Sequence, residues 1–376
     1  MKAKEQIKSL KAYKPGKPIE EVKKELGLET ITKLASNENP FGCADAVKDA
    51  VMDELERVSI YPDGYAAEIR TKLSEYLGVK PGQILFGNGS DEVIEMFCRT
   101  YLSPESNTIM ATPTFPQYKH NSIIEGAEII EVPLLDNGKH DLDQMYQAID
   151  DHTKIIWLCS PNNPTGTYIT EKELVSFLKK VPSDIIVACD EAYREYVVAE
   201  DYPDTVELQK EYTNLIIFRT FSKAFGLASL RIGYGVAHED LMGVVDPVRE
   251  PFNTSRVAQR AAITALEHLE FIETCRVKNR EGMASYESFC KQFNLDYFPS
   301  QGNFILIDFK TIQGDEIFDY LLRKGFIVRS GNALGYLTSV RITVGSQDQN
   351  DSIINCLSEW LVQKGVTKNV ATSINE

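Results

Sequence analysis

Short apolar runs recur along this chain, separated by stretches of helical spacing. Thr108–Ala111, Ile129–Pro133, Lys154–Cys159, Ile185–Cys189, Leu215–Arg219 and Ile232–Ala237 each have the length and apolar content of a buried strand. Asp141–Ile149 and Glu171–Lys179, which lie between some of them, have helical character. Such alternation predicts an α/β fold, a mostly parallel sheet covered by helices. Upstream, Ala44–Leu77 has a helical pattern broken by the turn signal Tyr61-Pro-Asp-Gly64. Gly89-Ser-Asp91 opens a predicted helix over Glu92–Tyr101, with Ser90 or Asp91 as N-cap. Downstream, a helical region over 255–288 precedes apolar runs at Asn303–Phe309, Phe326–Val328 and Val340–Val344, with a helix near Gly314–Lys324. These predict a smaller α+β domain, with the turn-rich residues 1–40 as an arm packed beside it. The expected division is an arm with part of the small domain (1–43), a large domain (44–275) and a C-terminal small domain (276–376).

The 376 residues suffice for two such domains. A net charge of −15 argues against nucleic acid or an anionic membrane as partner, because both require a basic footprint. Any anionic substrate must then be captured by local arginines. Seven scattered cysteines without a Cys-x-x-Cys pair read as reduced thiols, and no metal site is expected. No apolar run approaches the ~20 residues that span a bilayer. The first 24 residues are lysine-rich but lack the apolar centre of a secretion signal. The expected location is the cytoplasm.

In open α/β sheets ligands bind beyond the carboxyl ends of the strands. Lys223 ends the run Asn214–Lys223, beside the hydroxyl of Ser222, and Arg231 follows eight residues later. An amine at the mouth of a sheet with phosphate donors beside it is what pyridoxal phosphate needs, although a surface lysine is the plain alternative. Asp190 ends the run Ile185–Cys189; a carboxylate there can hold a ring nitrogen protonated and make the ring an electron sink. Tyr193 can hydrogen-bond the ring's phenolic oxygen, unless Asp190 only caps a helix and Tyr193 fills core. Asn163, in the rigid turn Ser160–Gly166, offers an amide to the same oxygen. In Gly87–Asp91 the backbone amides of Ser90 and Asp91 can approach a phosphate at a helix start, with the Asp91 carboxylate turned outward to cap.

Taken together with Thr220–Arg231, these segments resemble the fold-type-I pyridoxal-phosphate-dependent aminotransferases, in order and over nearly the whole chain. The resemblance implies a large domain with a mostly parallel seven-stranded sheet and pyridoxal 5'-phosphate as cofactor. It implies that Lys223 joins the cofactor aldehyde and later carries the α-proton, that Asp190 pairs with the ring nitrogen, and that Tyr193 and Asn163 hold the phenolic oxygen. Thr220, Ser222 and Arg231 fall among the phosphate contacts, and Phe115 falls where an aromatic stacks on the ring. Tyr61 matches a tyrosine that reaches the neighbouring subunit's cofactor phosphate, which implies a homodimer with shared sites. One departure is Ser229, where relatives usually have glycine; it matters only if the backbone there needs positive φ. Arg341 matches the arginine that holds the substrate's anion, and Arg329 supplies a second cation.

More narrowly, Leu34–Pro40, Tyr61–Tyr65, Thr220–Arg231, Glu250–Ser255 and Arg341–Gly345 resemble the class-II histidinol-phosphate aminotransferases. That implies amino transfer between histidinol phosphate and 2-oxoglutarate in histidine biosynthesis, with Tyr13, Asn37 and Asn303 near the substrate. An aromatic or broad-range aminotransferase, one of dual specificity included, and an amino-acid-phosphate decarboxylase of the same fold are the rival readings.

Overall fold

A computed structural model describes residues 2–10 and 19–368, so Tyr13 lies outside the described residues. Strand β1 is Thr32–Lys33. Seven strands then build the main sheet: β2 (Ile84–Gly87), β3 (Asn107–Thr112), β4 (Glu128–Pro133), β5 (Thr153–Cys159), β6 (Ile186–Asp190), β7 (Leu215–Thr220) and β8 (Gly233–Val236). Their order is β2-β8-β7-β6-β5-β3-β4. β8 runs antiparallel to both neighbours, and the other four pairings are parallel.

Every residue of β6 and β7 is buried, because helices cover both faces; hence they read as unbroken apolar runs. β2 was not among the expected strands. Its four residues sit between a Pro-Gly turn and a glycine turn, and only the edge offered by β8 makes them a strand. The pairs Cys159↔Asp190 and Asp190↔Phe218 align the carboxyl ends of β5, β6 and β7. The loops carrying Asn163, Tyr193 and Lys223 therefore leave the sheet side by side.

Strands β9 (Asp296–Tyr297), β10 (Phe304–Asp308), β11 (Phe326–Ile327), β12 (Arg329–Ser330) and β13 (Ser339–Thr343) follow. Four of them form an antiparallel sheet ordered β12-β13-β10-β9, while β11 pairs in parallel with β1. Leu34, just after β1, is buried in the core of this second unit with Phe289, Ile305, Ile342 and Leu357. The arm is split, however. Its first turn, Glu5–Ser9, lies against the large unit instead, where Gln6 Nε2 donates to the carbonyl of Ile124 (3.3 Å).

The helical region expected over 255–288 is two helices, Arg256–Leu266 and Leu269–Phe293. The first packs its alanines at 258, 261, 262 and 265 into the large unit's core. The second places Ile272 against that core and buries Met283, Tyr286, Phe289 and Phe293 in the other. The 275/276 boundary falls inside this bridging helix.

Candidate active site

A cavity of about 610 Å³ opens at the carboxyl ends of β5, β6 and β7, between the two units. Its wall includes Asn37, Ser90, Asp91, Phe115, Asn163, Asp190, Tyr193, Thr220, Ser222, Lys223 and Arg231, with Arg329 and Arg341 from the second sheet. Thirteen candidates from distant parts of the sequence thus meet in one space. Two do not line it. Tyr61 is 75% exposed on the surface, and Asn303 lies buried behind Asn37, donating from Nδ2 to the Asn37 carbonyl (3.0 Å). Asn303, expected near substrate, therefore shapes the wall and does not face the cavity.

Lys223 Nζ donates to the carbonyl of Ser36 (3.1 Å) and sits 5.7 Å from the centre of the Tyr193 ring. Burial pulls its pKa down to about 8, and the nearby Arg341 guanidinium adds to the effect. Buried Asp190 moves the other way, up to about 6, although the Tyr118 hydroxyl and the Ala192 amide both favour its charge. A carboxyl held up in this way is a site for a cation. Tyr193 accepts from Asn37 Nδ2 (2.9 Å), and Asn37 is in turn tied to Thr343 of β13. Arg341 donates to Asn163 Oδ1 (2.5 Å) and to the carbonyl of Ala35 (2.7 Å). With its oxygen so engaged, Asn163 has its amide NH₂ to offer a phenolic oxygen.

The glycine turn differs from expectation in its cap. The helix is Ser90–Tyr101, and its N-cap is Gly89 at φ 76°, with no side-chain cap bond. Glycine permits that entry geometry one residue earlier than Ser90 or Asp91 would. The Asp91 carboxylate is not turned away to cap; it lies 3.5 Å from Arg231 Nη2. Burial raises its pKa against the pull of Arg231 and Lys223. A Cβ on Gly233 would come within 2.4 Å of the Ser90 amide nitrogen, and one on Gly89 within 2.5 Å of Arg231 Nη2. Close backbone approach at two glycines leaves a cradle of amides and a guanidinium. Arg231 also donates to Ser222 Oγ (3.1 Å). Ser229 is not among the residues with positive φ, so its side chain introduces no backbone strain.

Nothing in the local sequence beyond its spacing from Phe115 singles out Tyr118. Its hydroxyl donates to Asp190 Oδ2 at 2.6 Å, and its ring stacks on Trp157 at 4.8 Å and 7°. Trp157 Nε1 is fixed in turn by Thr108 Oγ1 (2.8 Å). The available signal was the helical spacing from Phe115, three residues earlier, whose ring meets Tyr118 edge-on at 5.5 Å. A buried amine with a lowered pKa, a buried carboxyl at a strand end and an amide cradle fit pyridoxal phosphate in its aldehyde, ring nitrogen and phosphate.

Residues 29–357 match the family model described as aminotransferase class I and II. The chain belongs to this family. Among its relatives is the histidinol-phosphate aminotransferase of Geobacillus sp. (strain WCH70), 58% identical over 97% of this chain and 99% of that protein. The enzyme of that name from Bacillus subtilis (strain 168) is 56% identical over 96% of this chain and all of the relative. A solved histidinol-phosphate aminotransferase from Sinorhizobium meliloti, in complex with pyridoxal 5'-phosphate, superimposes with a TM-score of 0.87 at 24% identity, covering 96% of this chain and 97% of that one. The fold is thus that of fold-type-I aminotransferases, with a large sheet that is mostly parallel and seven-stranded.

Proposed function

We propose that this aminotransferase is a histidinol-phosphate aminotransferase. It moves an amino group between histidinol phosphate and 2-oxoglutarate, giving imidazole acetol phosphate and glutamate, in histidine biosynthesis. The substrate assignment is carried by the likeness to enzymes of that name, which extends over nearly the full length of both chains. The reaction class is supported by Lys223 and Asp190 facing one cavity.

Bound there, pyridoxal phosphate supplies an aldehyde for the amine and a ring that accepts electrons from the substrate's α-carbon. Lys223 Nζ, drawn down to about 8, would be neutral often enough near pH 8 to take the proton from the substrate's α-carbon and give it to the carbon that the cofactor's aldehyde supplies. The Asp190 carboxylate holds the proton on the ring nitrogen. Tyr193 and Asn163 donate to the phenolic oxygen, and Phe115 covers the ring. Thr220, Ser222, Arg231 and the amides of Ser90 and Asp91 hold the phosphate. Arg341 and Arg329 receive the substrate's anion, beside Asn37; both cations serve an enzyme that takes a dicarboxylate and a phosphate ester in turn.

Glutamate alone should convert the bound cofactor to its amine form, as absorbance will show; an amino-acid-phosphate decarboxylase would leave it unchanged. Catalytic efficiency should then be highest with histidinol phosphate. Equal or greater efficiency with phenylalanine or tyrosine would replace the proposal with an aromatic aminotransferase. Arg341→Ala should raise KM for glutamate by about 100-fold, the loss of a bidentate charged pair. Unchanged glutamate kinetics would remove Arg341 from substrate binding.

A homodimer with shared sites is supported by the exposed apolar side chains Met52, Leu55, Val58, Ile60, Tyr61, Tyr65 and Phe252. Cytoplasmic location is supported by seven free thiols. Among the described residues no helix is long and apolar enough to cross a membrane.

A further inference from the structure

We propose that the loop Glu250–Thr254 is a clamp serving two cofactor phosphate sites, its own protomer's through Asn253 and the neighbouring protomer's through Phe252. The second half rests on the shared-site dimer proposed above.

Phe252 has φ 58°, an outlier for a bulky aromatic that persists only where its surroundings over-determine it. Its ring is 45% exposed and stacks on Tyr61, 75% exposed, at 4.8 Å and 24°. Gly64 lets the ring lie against the turn; a Cβ there would come within 3.2 Å of it. Within one protomer, two aromatics this exposed bury too little of each other to hold a strained backbone by packing alone. What the arrangement does achieve is a fixed outward pose for the Tyr61 ring.

The backbone beneath that pair is pinned on every side. Arg249 Nη1 donates to the Gly64 carbonyl (2.9 Å) and to Asn253 Oδ1 (3.4 Å). Arg256 Nη2 donates to the Tyr61 carbonyl (2.7 Å), and Gln259 Nε2 to that of Asp63 (3.0 Å). These bonds tie loop and turn together.

Asn253 ties the same body to the glycine turn. Its Nδ2 donates to the Phe86 carbonyl (3.0 Å) and to Glu92 Oε2 (2.7 Å), on either side of Gly89. Its own carbonyl accepts from Asn88 Nδ2 (2.6 Å), and Glu92 Oε2 also accepts from the Asn88 amide (2.6 Å). Both ends of the phosphate cradle are therefore held by one side chain and its backbone. Neither Phe252 nor Asn253 lines the cavity, so both are positioning residues.

The test measures the dissociation constant of pyridoxal phosphate and the melting temperature of the cofactor-free dimer. Phe252→Gly removes the ring and relieves the strained φ, so cofactor binding should weaken about tenfold whether or not the melting temperature changes. Asn253→Ala should also weaken binding by about tenfold. A loop with a purely structural role would lower the melting temperature and leave affinity alone, which overturns the clamp. Hybrids with a Lys223→Met subunit separate the two halves, since borohydride fixes cofactor only in the subunit that keeps Lys223. The Lys223→Met subunit brings an intact Phe252 and Tyr61, so it should restore affinity to a Phe252→Gly partner and fail to restore it to an Asn253→Ala partner. Rescue of both, or of neither, overturns the assignment. If Tyr61→Phe leaves affinity unchanged, the shared-site dimer itself fails; if it weakens binding and Phe252→Gly does not, the clamp alone fails.

Discussion

Lys223→Met should lose at least about 10⁴-fold in turnover, because it removes both the covalent anchor and the proton carrier. It should also lose borohydride fixation of the cofactor. A second effect has the opposite sign. In the cofactor-free protein, burial and Arg341 depress the Lys223 pKa from 10.5 to about 8. The folded state therefore binds fewer protons there than the unfolded chain between pH 8 and 10.5, and holding the charged amine costs roughly 3 kcal/mol at most below pH 8. Methionine fills similar space without charge. Cofactor-free Lys223→Met should thus melt higher than the parent at pH 7, and the gap should close as pH rises through 8 toward 10.5. A variant less stable than the parent at pH 7 would show that the amine is not strained by its surroundings. Retained turnover would show that another lysine carries the chemistry.

The strands that position this lysine were legible because helices bury both their faces, which leaves the apolar run as the signature in sequence. Asp190 and Lys223 stood out because a charged residue ending such a run cannot be core. Asn163 was legible through its turn. What the sequence could not show depends on partners distant in the chain. β2 is a strand only because β8 pairs with it. Asn303 is asparagine at a strand's start, and nothing local says that it faces the Asn37 carbonyl and not the cavity. The cap at Gly89 required knowing that Arg231 draws the Asp91 carboxylate toward it. Tyr118 reads as an ordinary buried aromatic on a helix; its role depends on meeting a residue 72 positions away.

That contact bears on the second large effect. Asp190→Asn should lower turnover by about 10³-fold, since an amide cannot hold the ring nitrogen protonated and so removes electrostatic stabilisation of the developing charge. Cofactor binding should survive, because the phosphate contacts are untouched. The pH dependence gives the sharper test. Burial raises Asp190 to about 6 from the ordinary 3.8, so its protonated form favours folding of the cofactor-free protein. That contribution is complete below about 3.8 and is lost as pH rises through 6. Holding a cationic ring needs the ionised form, so parent affinity for pyridoxal phosphate should fall as pH drops below about 6, and in Asp190→Asn that fall should be shallower, leaving only the part due to the Lys223 amine and the phosphate. Tyr118→Phe removes a hydrogen bond that favours the charged carboxylate and should move the fall to higher pH. In the Asp190→Asn background it should add nothing, because coupled residues do not contribute independently. An Asp190→Asn enzyme with parental turnover, or one whose cofactor affinity falls as steeply below pH 6 as the parent's, would take the ring nitrogen away from this carboxylate.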